Sequence, residues 1–236
     1  MLCKIAELIV DIPTAGGLAS RCKEYLYNGN DGADVVIRAD LYCPEKYPSN
    51  MTEENVAYME SARQFYAKLL EFDGFYLHAS AVALDGKAYL FSANPGVGKS
   101  THSRLWKQQF GEKAQIFNDD KPALRCLDGV WYAYGTPWCG KDGININMKV
   151  PLAGICFLNR GQENKIRPLD ALEALQRILP QTIYRFKTQQ KMDQMLRHMD
   201  DLLQKIPVFE LENRPEPEAA KLSYETMSAK VKELVL

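Results

Sequence analysis

Between Lys87 and Phe110 the chain passes from an apolar strand pattern, Lys87 to Ser92, through Ala93-Asn94-Pro95-Gly96-Val97-Gly98-Lys99-Ser100 into an amphipathic stretch, Thr101 to Phe110. Strand, glycine loop and helix in that order are the context in which the spacing G-x-x-x-x-G-K-[ST] reads as a phosphate loop. Alanine stands at position 93, where the pattern has its first glycine. Gly96 and Gly98 let backbone N–H groups curl around phosphate oxygens with no side chain in the way, and the helix adds its positive end. Lys99 is placed for the outer phosphates and Ser100 for Mg²⁺, while Asn94, Val97 and Thr101 are the remaining candidate nucleotide contacts. A glycine-rich turn that merely precedes a helix is the bland alternative, and the flanking strand and helix weigh against it.

What leads into the loop limits the sheet around it. Phe75 to Leu84 and Lys87 to Ser92 flank Asp85-Gly86, and Leu124 to Leu127 and Val130 to Tyr134 flank Asp128-Gly129. Asp-Gly between apolar runs is a hairpin signal, so these strands pair antiparallel and the sheet is not the all-parallel one of a doubly wound fold. The fold class expected is α/β with α+β character: a mixed, largely antiparallel sheet around the loop, with peripheral helices. A strand with one wet face is expected from Val35 to Leu41 and a helix capped by Thr52, with Val56, Met59, Ala62, Tyr66 and Leu69 on one face, stopping at Asp73-Gly74. Leu152 to Leu158 and Val208 to Leu211 read as strands, and Asp170 to Leu179, Gln190 to Leu203 and Glu216 to Met227 as helices. No repeat or linker divides the chain. One domain over 1–236 is expected, with an arm at 1–74, a core at 75–160 and a helical and strand elaboration at 161–236.

Composition removes whole classes of function. Of 236 residues 46% are hydrophobic and 25% charged, enough for a packed core, and 29 Lys and Arg against 30 Asp and Glu leave a net charge of −1. A near-neutral chain has no electrostatic reason to track nucleic acid or an anionic membrane, so neither is expected as a partner. No run of about 18 apolar residues is present, and Glu7 and Asp11 interrupt the amino terminus, which points to a cytoplasmic protein. Cys3, Cys22, Cys43, Cys126, Cys139 and Cys156 are scattered without a C-x-x-C pair, and only three histidines are available to complete a zinc site. They read as reduced, mostly buried thiols.

Asn118-Asp119-Asp120 follows the apolar run Ala114 to Phe117, which sets two carboxylates at a strand tip. Phosphoryl transfer to a hydroxyl needs a carboxylate for the metal and another for the acceptor's proton. Standing alone the pair would read as a solvated turn; a phosphate loop upstream reverses that. His78 precedes the hairpin that feeds the loop and is a candidate for steering a carboxylate, although a lone strand histidine is as often a core residue. His102, in the first turn of the following helix, is within reach of a bound phosphate, but it and His198 are expected to face solvent. Gly135 to Lys141 is a turn-rich loop ending in a cation. Lys141 and Arg160 are candidates to offset transition-state charge or are plain surface cations. Cys139 has no histidine near it in sequence, and a nucleophilic thiol is not expected.

With His78, the loop, Asp119-Asp120 and Gly135 to Lys141 in this order, residues 75–160 resemble the catalytic domain of the HPr kinase/phosphorylase family and, more distantly, phosphoenolpyruvate carboxykinase. The resemblance implies ATP and Mg²⁺ as cofactors. It implies Lys99 and Ser100 on phosphate and metal, and Asp119 and Asp120 as base and metal ligand, the lean being to Asp119 as base and to Ser100 and Asp120 on the metal. His78 is then the residue that steers the base. The first 70 or so residues do not resemble the separate amino-terminal domain of full HPr kinases, and no segment matches the one that grips HPr. The likeness is thus to short, stand-alone forms, some of which phosphorylate a serine of a ribosomally made peptide. The function implied is transfer of the γ-phosphate of ATP to a serine of a peptide or protein, or to a small alcohol; self-association into a homo-oligomer is left open. Two alternatives stay beside it: an ATP-binding regulatory or scaffold protein without transfer, and a phosphoserine phosphorylase. The carboxykinase reading would need metal-binding and dicarboxylate-binding residues that a chain with three histidines lacks.

Overall fold

In the computed structural model, which describes residues 1–13, 16–41, 44–182 and 188–235, the chain opens with β1 (Leu2–Ile5), β2 (Leu8–Asp11), α1 (Gly16–Arg21) and β3 (Val35–Val36). There follow α2 (Glu53–Leu69), β4 (Gly74–Tyr76), β5 (Ala79–Leu84), β6 (Lys87–Ser92), α3 (Lys99–Phe110), β7 (Gln115–Asn118), β8 (Ala123–Leu127) and β9 (Val130–Tyr134). The chain closes with β10 (Lys149–Arg160), β11 (Lys165–Pro168), α4 (Ala171–Ile178), α5 (Gln189–Lys205), β12 (Val208–Asn213) and α6 (Pro217–Val235). Cys43 lies outside the described residues. The five described cysteines are free, and all but Cys126 are buried. No helix among the described residues is long and apolar enough to cross a membrane.

The larger sheet is mixed, in the order β4-β8-β9-β10-β6-β5-β7, with β12 on β10 and β11 on β12. β10 is parallel to β6 and to β12, and the remaining pairs are antiparallel. Both Asp-Gly hairpins form, with Asp85 and Gly86 at φ 50° and 71° and Asp128 and Gly129 at φ 49° and 78°. Positive φ at both central positions matches the right-handed twist of the flanking strands. β6 shows why its sequence is apolar throughout. Ala88 and Leu90 join the core beneath α4 and α5, while Tyr89 and Phe91 join the opposite core with Trp106 of α3 and Met227 of α6. Side chains alternate faces along a strand, so a strand covered on both sides must be apolar at every position.

The expected Val35 to Leu41 strand shortens to two residues, and Ala39 to Leu41 instead form a 3-10 turn. Phe75 to Leu84 breaks at Leu77-His78 into β4, which pairs with β8, and β5, which pairs with β6 and β7. Nothing in the sequence pattern marks the first hairpin, β1 to β2, because its turn is Ala6-Glu7 at φ 49° and 65°, with neither glycine nor asparagine. With β3 it makes a second sheet whose buried residues, Val10 and Ile5 among them, pack with Phe65, Tyr66 and Leu69 of α2 and with Trp138. Thr52 caps α2 as expected, its Oγ1 accepting Asn55 N–H at 3.2 Å. Met59, expected on the apolar face, is exposed.

His102 departs most from expectation: it is 1% exposed rather than solvent-facing, edge-on to Phe91. Its Nε2 stands 3.2 Å from Ser223 Oγ, which also receives Trp106 Nε1–H and itself donates to Ala220 O. Ser223 has therefore spent its proton, so His102 Nε2 donates and Nδ1 is a bare buried acceptor. Burial drives its pKa from 6.5 down to about 3. The unfolded chain takes up a proton here that the folded chain refuses, so stability falls as pH drops below about 6.5. Denaturant titrations should lose about 2 kcal/mol from this source between pH 7 and pH 5, and His102→Leu should flatten that slope relative to the parent; equal slopes in both would show that His102 does not set it.

Candidate functional site

Three strand ends meet at one edge of the larger sheet. β6 and β7 run in the same direction on either side of β5, so their carboxyl ends lie beside the amino end of β5, where Ser92 pairs with Ala79 and Asn118 with Ala81. The glycine loop leaves β6 there, Asp119-Asp120 leaves β7 there, and His78 stands one residue before β5. Residues far apart in sequence are thereby brought together by strand pairing alone.

Gly98 holds φ 124°, a conformation that side-chain-bearing residues rarely adopt, directly before α3 begins at Lys99. No side chain caps that helix start, and no acid lies in its first turn. Its first N–H groups and its positive end are therefore open to an anion. Lys99 Nζ donates to Ala93 O at 3.2 Å. Burial lowers the Lys99 pKa, the charge of Lys121 adds to this, and Asp120 opposes it, so all three share one electrostatic neighbourhood. Ser100 is half-buried, and its hydroxyl has no partner among the described residues. Asn94 and Thr101 are exposed and Val97 is half-buried.

Asn118, fully buried, shapes the acidic turn. Its Nδ2 donates to Thr136 O at 3.0 Å, and its Oδ1 accepts the N–H groups of Asp120 at 3.1 Å and Lys121 at 2.8 Å. Such a side-chain turn fixes where the next residues point, and the two acids diverge. Asp119 is 6% exposed and turns away to Gly140, whose N–H it accepts at 2.6 Å. A Cβ on Gly140 would stand 2.9 Å from Asp119 Oδ2, so glycine is what admits this close approach. Burial raises the Asp119 pKa, and the neighbouring charge of Asp120 adds to it against the Gly140 hydrogen bond. Asp120 faces the other way. Its Oδ1 lies 3.1 Å from His78 Nε2, and its Oδ2 accepts from Lys121 Nζ. Burial alone would raise its pKa, but the His78 hydrogen bond and the Lys121 charge more than offset that and bring it down to about 2.

His78 is held at both ring nitrogens. Its Nδ1 lies 3.0 Å from Gln181 Oε1, its N–H donates to Gln181 O at 2.8 Å, and Gln181 Nε2 in turn reaches Asn94 Oδ1 at 3.4 Å. The structure thus brings His78, Lys99 and Asp120 together and sets Asp119 apart. Arg160 and Lys141 part company as well. Arg160 Nη2 donates to Gly96 O at 2.7 Å beside a cavity of about 550 Å³ that includes Gly96, Gly98 and Thr101. Lys141 lies on a second cavity, of about 520 Å³, with Asp120 and Lys121. His198 is half-buried against Leu70 O at 3.2 Å, away from this edge.

The Gly135 to Lys141 loop sits over the site because of Trp138, which no sequence signal marked. Its ring is fully buried, stacked on Phe65 at 4.8 Å, with Nε1 donating to Ser61 Oγ at 3.0 Å. Burying one such ring contributes about 1.5–3 kcal/mol. The exposed pair at 2.5 Å between Arg104 of α3 and Asp142, directly after the loop, contributes about 0–1 kcal/mol. Trp138 is therefore the anchor. Cys139 serves through its carbonyl, which accepts Arg21 Nη1–H at 2.9 Å and Tyr58 O–H at 2.7 Å; burial raises its thiol pKa, which suits no nucleophile. Lys121, Gln181, Tyr58 and Arg21 were not singled out from sequence. Only Lys121 carried a signal there, a cation directly after two acids.

Among the described residues no three His, Cys, Asp or Glu side chains gather closely enough to hold a metal by themselves. A hard divalent cation here would need oxygens from a phosphate-bearing ligand as well, which is how Mg²⁺ is ordinarily held. A free hydroxyl at Ser100 and a fully ionised carboxylate at Asp120 fit that role.

The family model described as "SynChlorMet cassette protein ScmC" matches residues 41–214, well over half of the chain. No curated protein matches. Among solved structures, the Hpr(Ser) kinase/phosphatase from Coxiella burnetii aligns with 67% of this chain and 97% of its own, at 14% identity and a TM-score of 0.37. That likeness is too loose to bear on chemistry.

The Asp120 carboxylate owes its low pKa to His78 and Lys121. Its contribution to stability is present above about pH 3.8 and is lost as pH falls toward 2. His78→Phe should move the Asp120 carboxyl titration, followed by ¹³C NMR, up toward 3.8, at a cost of about 2 kcal/mol or less at neutral pH. An unmoved titration would show that the two groups do not interact.

Proposed function

The chain belongs to the family of SynChlorMet cassette protein ScmC, whose match spans the loop, His78, the acidic pair and Gln181, and on that premise and the geometry above we propose that it is an ATP- and Mg²⁺-dependent kinase acting on a hydroxyl. The observation that carries this is the His78–Asp120 contact at 3.1 Å, which holds an ionised carboxylate beside Lys99 of the glycine loop.

In this reading the open N–H groups of the loop and of the start of α3 receive the β- and γ-phosphates, and Lys99 exchanges the Ala93 carbonyl for phosphate oxygen. Arg160 fastens the loop through Gly96 O. Ser100, with oxygens of the nucleotide's own phosphates, would hold Mg²⁺, which when bound neutralises charge on the transferring group. Asp120 takes the acceptor's proton. Geometry decides between the acids before pKa does: Asp119 is buried and engaged with Gly140, whereas Asp120 lines a cavity and is the acid that His78 steers. This reading departs from the expected lean to Asp119 as base and gives that role to Asp120. The acceptor oxygen bonds to the γ-phosphorus, the bond to the β,γ-bridging oxygen breaks, ADP leaves, and the proton resides on Asp120.

With γ-labelled ATP and serine-peptide or small-alcohol acceptors, the parent should transfer label and Lys99→Ala should lose nucleotide binding. Asp120→Asn should cut kcat by on the order of 10²–10⁴-fold, and Asp119→Asn should cost much less unless it loosens the Gly140 loop. Tight MgATP binding with no transfer to any acceptor would favour the regulatory alternative, and an Asp120→Asn protein that transfers normally would overturn the assignment of the base.

A further inference from the structure

The cavity of about 520 Å³ that Asp120 lines is bounded by α1, α2 and the Gly135 to Lys141 loop. The charged residues lining it are Arg21, Glu54, Asp120, Lys121 and Lys141, and Tyr58 lines it with them. The charges there are not all matched. Lys121 is paired with Asp120, and Glu54 is committed to the N–H of Gly17. Arg21 and Lys141 form no ion pair among the described residues. Arg21 is instead held by neutral groups: Nη1 binds Cys139 O and Sγ at 2.9 Å each, and the guanidinium lies 5.1 Å from the centre of the Tyr58 ring. Lys121 Nζ lies 5.5 Å from the same ring. Tyr58 thus fixes two cations by their attraction to its π-face without neutralising either. A guanidinium has five N–H donors, so those not used on Cys139 stay available to a carboxylate or phosphate.

Resting on the kinase reading, we propose that this cavity is the acceptor site and that it selects a hydroxyl compound carrying a negative charge close to that hydroxyl. Asp120 at the wall receives the hydroxyl, and Arg21 and Lys141 receive the neighbouring carboxylate or phosphate. The cations also solve a problem the site sets itself. Asp120 would repel an anionic acceptor, and the unmatched positive charge restores attraction at the same wall. Carboxylates of an acidic peptide and of a small hydroxy acid have the same chemistry here, so both belong to the test.

The experiment has a transfer arm and a binding arm. In the first, a serine-peptide library with Asp, Asn or Lys fixed at each position around the serine, together with free serine and glycerate, is incubated with the full chain and γ-labelled ATP. Acidic members or the hydroxy acids should be labelled at least tenfold better than their Asn or amide counterparts, and the preference should shrink with added salt. Lys141→Met, at an exposed side chain, and Arg21→Met should each remove most of that preference by raising KM for acidic acceptors. In the second arm, fluorescent Asp-rich and Asn-rich pools are compared by anisotropy without nucleotide; the Asp-rich pool should bind at least tenfold tighter, and Lys141→Met should abolish the difference. Equal labelling, or equal binding of the two pools, overturns the anionic-acceptor site. Preferential binding of the acidic pool with no label transferred overturns the kinase reading and leaves the anion site standing.

Discussion

The Asp85-Gly86 turn, with both residues at positive φ, folds β5 back between β6 and β7, and the site's geometry follows from that single reversal. Because β5 is antiparallel to both neighbours, the loop after β6 and the acids after β7 emerge at the same edge, with His78 between them. An all-parallel arrangement would have sent the chain away through a crossover before it could return. Here a two-residue turn does the work, and His78 reaches Asp120 across one strand width.

How far this was legible in the sequence depends on whether a residue's role is local. The loop, both Asp-Gly hairpins and the Thr52 cap of α2 are written in adjacent residues, and each forms where its pattern stands. What escaped is either non-local or chemically unmarked. The first hairpin turns on Ala6-Glu7, which carry no turn signature. His102 sits on a helix that looks half-polar, and only the docking of α6 through Ser223 buries it. Gln181 meets His78 across 103 positions, and no spacing rule connects the two. The sequence brought forward the acidic pair as a unit but not its division, because that rests on Asn118 and on the close pass of Gly140, both tertiary facts.

The same turn gives two adjacent aspartates opposite electrostatic fates. Each loses hydration, which alone raises a carboxyl pKa. Asp119 gains one backbone N–H and the repulsion of its neighbour, so its pKa stays raised. Asp120 gains an imidazole and an ammonium, and ends well below the ordinary range. Environments that push two titratable groups apart are how a site obtains different roles from identical side chains, and here the separating agent is the direction in which Asn118 points them.

Alanine in place of the pattern's first glycine tests whether the loop's shape or its spelling matters. Ala93 is buried and is not among the residues at positive φ; that demand falls on Gly96 and Gly98. At 93 the chain is still leaving β6, and what the position supplies is a carbonyl for Lys99 Nζ at 3.2 Å. Any residue small enough for the buried slot can present that carbonyl, so the methyl group of Ala93 leaves Lys99 its partner. The glycines that remain are those at positive φ, where side-chain-bearing residues are rare, and they lie beside the open N–H groups at the start of α3.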